Sequence, residues 1–194
     1  MKRESGARGL SKWANRFIVA AIVQGGLAAG LTAYLLYQGI FGVPAASRIV
    51  AGGGAGSWLT VGYFGYLTIG LLATGVTALF YRHIEADMGK PYQGWTNFLA
   101  WGHLILMSVG VVGATWLMMH AGYRGGAAGL STAVGGGGLT PAEIHEQIMG
   151  AYPPYIAVFM AIALVGILLG GLGYIIAWLR PTEEMAGAAA PSAD

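Results

Sequence analysis

The sequence predicts an all-α integral membrane protein, a four-helix transmembrane bundle with a short outer helix in the loop between spans 3 and 4. Three observations predict it. The segments Phe17–Gly42, Trp58–Tyr81, Phe98–Tyr123 and Tyr155–Leu179 contain no Asp, Glu, Lys or Arg, and about twenty such residues cross the hydrocarbon core as a helix. Hydrophobic residues are 56% of the chain and charged ones 9%, against about 25% charged in a soluble domain. The ten Lys and Arg residues fall unevenly between the segments, as they do when a chain is threaded through a membrane with one orientation.

Residues 1–16 form a basic tail with Lys2, Arg3, Arg8, Lys12 and Arg16. The next, apolar segment is too long for a signal-peptide core of about 7–15 residues, so 17–42 reads as a retained first span. It contains Gly26-Leu-Ala-Ala-Gly30. The loop at 43–57 includes Ala51-Gly-Gly-Gly-Ala-Gly56 and is expected to be flexible. Span 2, at 58–81, contains Gly62, Gly65 and Gly70. The short loop 82–97 makes spans 2 and 3 antiparallel neighbours, and span 3 covers 98–123. In the long loop 124–154, Thr140-Pro-Ala-Glu143 has the residues of a capping box with Pro at the first helical position. It predicts a helix near 141–150, stopped by Gly150 and Pro153-Pro154. Span 4, at 155–179, contains Gly166-Ile-Leu-Leu-Gly170. The four spans define one membrane domain over 17–180, followed by a small, polar tail at 181–194 expected to be disordered.

Orientation is read from the basic residues. The N-terminal tail, Arg82, Lys90 and Arg180 lie on one side, and only Arg48 and Arg124 on the other. The positive-inside rule then puts both termini in the cytoplasm, with the protein in the plasma membrane. Trp13, Trp58, Trp95, Trp101 and Trp178, with several tyrosines, fall near the expected interfaces.

Composition also excludes function classes. Without cysteine there are no disulfides or thiolate metal sites. A net charge of +2 gives no support to nucleic-acid binding. No GxSxG, HExxH or phosphate-loop motif is present. Spans without charged residues argue against an autonomous ion pump or carrier, which keeps ionisable groups at membrane depth.

Three features remain. Gly26 with Gly30, Gly62 with its neighbours, and Gly166 with Gly170 each put small residues on one helix face, where another backbone can approach closely. That face serves packing inside the bundle or the docking of a partner subunit. The histidines are the second feature. His83 lies just past span 2, His103 about a turn inside span 3, His120 at its other end, and His145 in the outer helix. Haem b is held in helical bundles by imidazoles from different helices, so His103, His120 and His83 are the haem candidates. Against this, His103 and His120 are separated by about 25 Å along one helix and point about 100° apart. A buried His103 needs a hydrogen-bond partner; with Met107 it supplies only two ligands toward copper(I). The third feature is Glu143, His145 and Glu146, for which a solvated helix face is the default because adjacent positions do not share a face.

The run Trp101-Gly-His-Leu-Ile-Leu-Met-Ser-Val-Gly110, continuing to Gly126, resembles small four-helix membrane proteins of archaea that accompany or distantly resemble haem–copper oxidase subunit I. So does Val61-Gly-Tyr-Phe-Gly-Tyr-Leu67, leading to Ala78-Leu-Phe-Tyr-Arg-His83. The likeness extends over about 17–180. The chain lacks the His-x-His pair and the histidine–tyrosine element of that oxidase core, so no catalytic residue carries over. The resemblance implies an accessory subunit of a respiratory complex, most simply a terminal oxidase, with larger membrane subunits and lipid as partners. A haem b electron carrier and a membrane scaffold are the alternatives.

Overall fold

The computed structural model describes residues 11–181. The expected disordered tail, apart from residue 181, lies outside the described residues, as do Lys2, Arg3 and Arg8. Among the described residues the only regular secondary structure is helix. Four helices are long and apolar enough to cross a membrane. They are α1 (Lys12–Phe41), α3 (Gly54–Asp87), α4 (Trp95–Gly129) and α6 (Pro153–Leu179). Two short helices complete the set, α2 (Ala46–Ala51) and α5 (Pro141–Gln147). The N-terminus of α1 and the C-terminus of α6 share one end with the α3–α4 loop, called here the termini end.

The long helices run beyond the uncharged segments. α1 begins at Lys12 because Ser11 caps it, accepting from the Ala14 N–H, as a serine N-cap does. Glu85 adds a carboxylate at the same place, accepting from the Trp13 N–H at 2.9 Å and from the Ser11 hydroxyl. An anion there complements the helix dipole. At the C-terminus of α6, Arg180 donates to the carbonyls of Pro91 and Gln93 and to Thr96 Oγ1, and Lys90 donates to the Trp178 carbonyl. These bonds tie loop 88–94 to the end of α6.

Two expectations need correction. The Gly-rich loop at 43–57 holds α2, and its Ile49 is fully buried. Gly126 of α4 makes room for it, since a Cβ there would meet Ile49 Cγ2 and lie 2.8 Å from Gly56 Cα. Gly53 and Gly54, at φ 64° and 52°, supply the left-handed turns that lead the chain from α2 into α3. Helix α5 has the expected capping box, with Thr140 and Glu143 bonded reciprocally. However, it ends at Gln147, and Pro153 and Pro154 open α6 rather than stop α5. Proline suits a first helical turn because its missing N–H would be unpaired there anyway.

α1 packs on α3, α3 on α4, and α4 along most of its length on α6. Glycine sets the closest approaches. A Cβ at Gly62 of α3 would lie 2.7 Å from the Thr115 carbonyl oxygen, and one at Gly110 of α4 would lie 2.6 Å from that of Phe159. In a membrane such van der Waals contact replaces the hydrophobic effect as the force between helices. Trp13, placed by sequence near a membrane interface, is fully buried by its protein neighbours. It packs among Phe17, Tyr81, Tyr92 and Ala100.

α3 is not a regular helix. It widens into π-helical turns at Tyr66–Leu72 and His83–Asp87. An inserted residue rotates the remainder of the helix by about 100°. Residues eight apart, such as Tyr66 and Thr74, then align almost as residues seven apart do in an α-helix. Both face Gln24 of α1. Tyr66 Oη donates to the Gln24 carbonyl at 3.2 Å, and Gln24 Nε2 donates to Thr74 Oγ1 at 3.2 Å. Gly70 between them leaves space for the glutamine side chain.

Candidate functional site

The polar centre of the bundle is His103. It lies on the buried face of α4 with Ala100, Met107 and Gly110. Its Nδ1 is 3.1 Å from Tyr81 Oη on α3. Phe17 of α1 stacks on Tyr81 with ring centroids 4.7 Å apart, and lies 5.1 Å from the imidazole. From α6, Gly170 closes the other side, where a Cβ would overlap the imidazole ring. Thus one residue from each of the other three long helices borders the imidazole. Tyr92, from loop 88–94, packs against Tyr81 at 4.9 Å. Burial pushes its phenol well above the ordinary tyrosine range, and Glu85 adds to the effect.

The other sequence candidates are not brought to this centre. His83 lies in the last turns of α3, half exposed, paired with Asp87 at 3.4 Å. His120 is exposed near the far end of α4, with its ring 5.9 Å from that of Tyr152. His145 is exposed on α5 with Glu143 and Glu146. Glu143 is held below the ordinary carboxylate range by the Thr140 backbone N–H and hydroxyl, so capping engages it. Among the described residues no group of three His, Asp or Glu side chains is placed to hold a metal ion. A haem b carrier needs two imidazoles facing one iron. Around His103 stand Tyr81, Phe17 and Gly170, and none of these supplies a second imidazole.

The helix-packing glycines divide into two groups. Gly62 meets α4, Gly166 meets the Leu106–Met107 backbone of α4, and Gly170 meets His103. Gly26 and Gly30 meet nothing, because a Cβ at either would have no atom within 4 Å. α1 turns Phe17, Gln24 and Ala28 inward. Positions two residues further on are rotated by about 200°, so Gly26 points away from the bundle, while Gly30 opens onto a groove that also has Leu59 of α3 and Trp116 and Tyr123 of α4 in its wall. Ile22, Ala29, Ala33 and Tyr37 share the exposed side of Gly26 on the helix.

Sequence reasoning missed Tyr81 and Tyr92 at the His103 centre, and Gln24 as the partner of Tyr66 and Thr74. Tyr81 and Tyr92 looked like interfacial aromatics or loop residues, and the only signal for Gln24 was a polar amide inside an apolar span. Comparison with protein-family models, with curated proteins and with solved structures finds no match in any of the three.

Proposed function

We propose that this chain is a non-catalytic subunit of a larger membrane assembly, namely a respiratory electron-transfer complex of the haem–copper oxidase kind. It lies in the plasma membrane with both termini cytoplasmic, and it docks through the outward face of α1. The observation that carries this reading is the unpartnered pair Gly26 and Gly30. The fold uses Gly62, Gly166 and Gly170 to bring its own helices together, whereas this pair offers the same close approach to a helix that is not part of the chain. The absence of charged residues from the uncharged cores of the spans fits a packing role better than transport. The respiratory assignment is supported by the resemblance of 61–83 and 101–126, and the orientation by the basic residues at the termini end.

The test is copurification from the native membrane. The tagged wild-type chain is expected to comigrate on a native gel with a larger complex carrying oxidase activity. The Gly26→Leu/Gly30→Leu variant, which changes only exposed positions, is expected to lose that comigration and keep its own fold. A variant that comigrates as before would sink the docking assignment.

A further inference from the structure

Between α3 and α6 lies a lateral groove of about 480 Å³ with His103, Tyr81 and Tyr92 in its wall. That volume is in the range of small-molecule sites, about 300–1,000 Å³. Ile69 and Phe80 of α3, with Ile167 and Ile175 of α6, line the groove and are themselves exposed. Its mouth therefore opens sideways, toward lipid. Phe80 and Tyr174 meet edge to face across it, with centroids 6.0 Å apart.

Two features set this groove apart from a plain lipid crevice. The first is Tyr92. The residue is 7% exposed, and its Oη is buried with no hydrogen-bond partner among the described residues. A buried hydroxyl without a partner costs about 1–3 kcal/mol, a cost that a ligand acceptor would remove. The second is the Tyr81–His103 pair. A phenol and a neutral imidazole hold two polar hydrogens between them, and their mutual bond uses one. Whichever tautomer forms, one O–H or N–H is left to donate. No Lys, Arg, Asp or Glu lines the groove, so it offers hydrogen-bond donors without charge. The donors lie toward the termini end, near loop 88–94, and Ile69 and Ile167 lie deeper along the spans.

We propose that this groove binds a quinone-class ligand, a neutral lipid-soluble molecule whose flat ring carries carbonyl acceptors. Tyr92 Oη and the Tyr81–His103 pair hold the carbonyls, aromatic side chains flank the ring, and the apolar tail lies along Ile69 and Ile167. The headgroup sits near the membrane interface and the tail in the hydrocarbon, the natural posture of an amphipathic lipid-phase molecule. The proposal concerns binding alone and stands whether or not the chain docks through α1.

The full-length chain in phosphatidylcholine nanodiscs, photolabelled with an azido decyl-benzoquinone, tests it. Labelling is expected to saturate, to map to groove residues, and to be competed by unlabelled decyl-benzoquinone. Tyr92→Phe is expected to weaken binding about fivefold, the worth of one hydrogen bond. Gly171→Trp is expected to abolish it. Gly171 lines the groove, and a Cβ there meets nothing within 4 Å, so the new side chain starts into open space. An unchanged affinity in Tyr92→Phe would overturn the proposal. So would labelling that does not saturate, or equal competition by hexadecane, which would make the groove a seat for acyl chains.

Discussion

Gly170 of α6 lies against the imidazole of His103 on α4, so closely that no side chain fits between them. The contact holds His103 toward Tyr81, 3.1 Å away on α3, and so couples the position of α6 to that of α3. Gly170→Ala forces the ring or the helix to move, and overpacking of this kind costs about 1–3 kcal/mol. Gly171, one residue on, faces open space, and Gly171→Ala is expected to be near neutral. Thermal unfolding of the two variants in mild detergent measures the difference.

The His103–Tyr81 bond is the second target. Tyr81→Phe leaves a buried imidazole without its partner, at a cost of about 1–3 kcal/mol. Replacing both residues with apolar ones of similar size is expected to cost less than the two single changes added together. A double-mutant cycle read by reversible denaturation measures that coupling.

The start of α1 depends on a residue from a distant part of the chain. Glu85 accepts from the Trp13 N–H and the Ser11 hydroxyl. Its replacement by Ala is expected to destabilise the protein by about 0.5–2 kcal/mol, as lost caps do, and to speed amide exchange at Trp13 and Ala14. Exchange rates equal to wild type would show that the carboxylate contributes nothing to the cap.

A pH effect is expected at α5. Hydrogen bonds from Thr140 hold the Glu143 carboxyl below the ordinary glutamate value. A depressed acid contributes stability above its unfolded-state value and loses that contribution as pH falls through its folded-state value. The capping box of α5 is therefore intact at neutral pH and opens only in acid, below the range where free glutamate titrates. A carboxyl-carbon NMR titration of Glu143 checks the direction. The Glu143→Gln variant should keep part of the cap and lose the pH dependence.

Much of the fold was legible because each signal was local. Uncharged runs mark the spans, and Thr140 with Pro141 and Glu143 marks α5. The helix ends were less legible, since Ser11 and Glu85 meet although all of α1, α2 and most of α3 lie between them in the chain. α2 was hidden because the glycines that follow it suggest flexibility, while Ile49 packs into the space that Gly126 leaves in α4. At the candidate site, the need of a buried His103 for a partner could be read from its span, but Tyr81 as that partner depends on how α3 crosses α4. The alignment of Tyr66 and Thr74 on Gln24 depends on a π turn, which periodicity at 3.6 residues per turn does not reveal.

The central claim is that this bundle works as a packing subunit and not as an electron carrier. Its most direct test is a visible spectrum, oxidised and dithionite-reduced, of the chain purified in mild detergent, run beside a native gel of its solubilised membrane. The account predicts no haem on the isolated chain and comigration of the native chain with a larger haem–copper complex. Reduced haem b bands that track with the isolated chain and vanish in His103→Ala would contradict it.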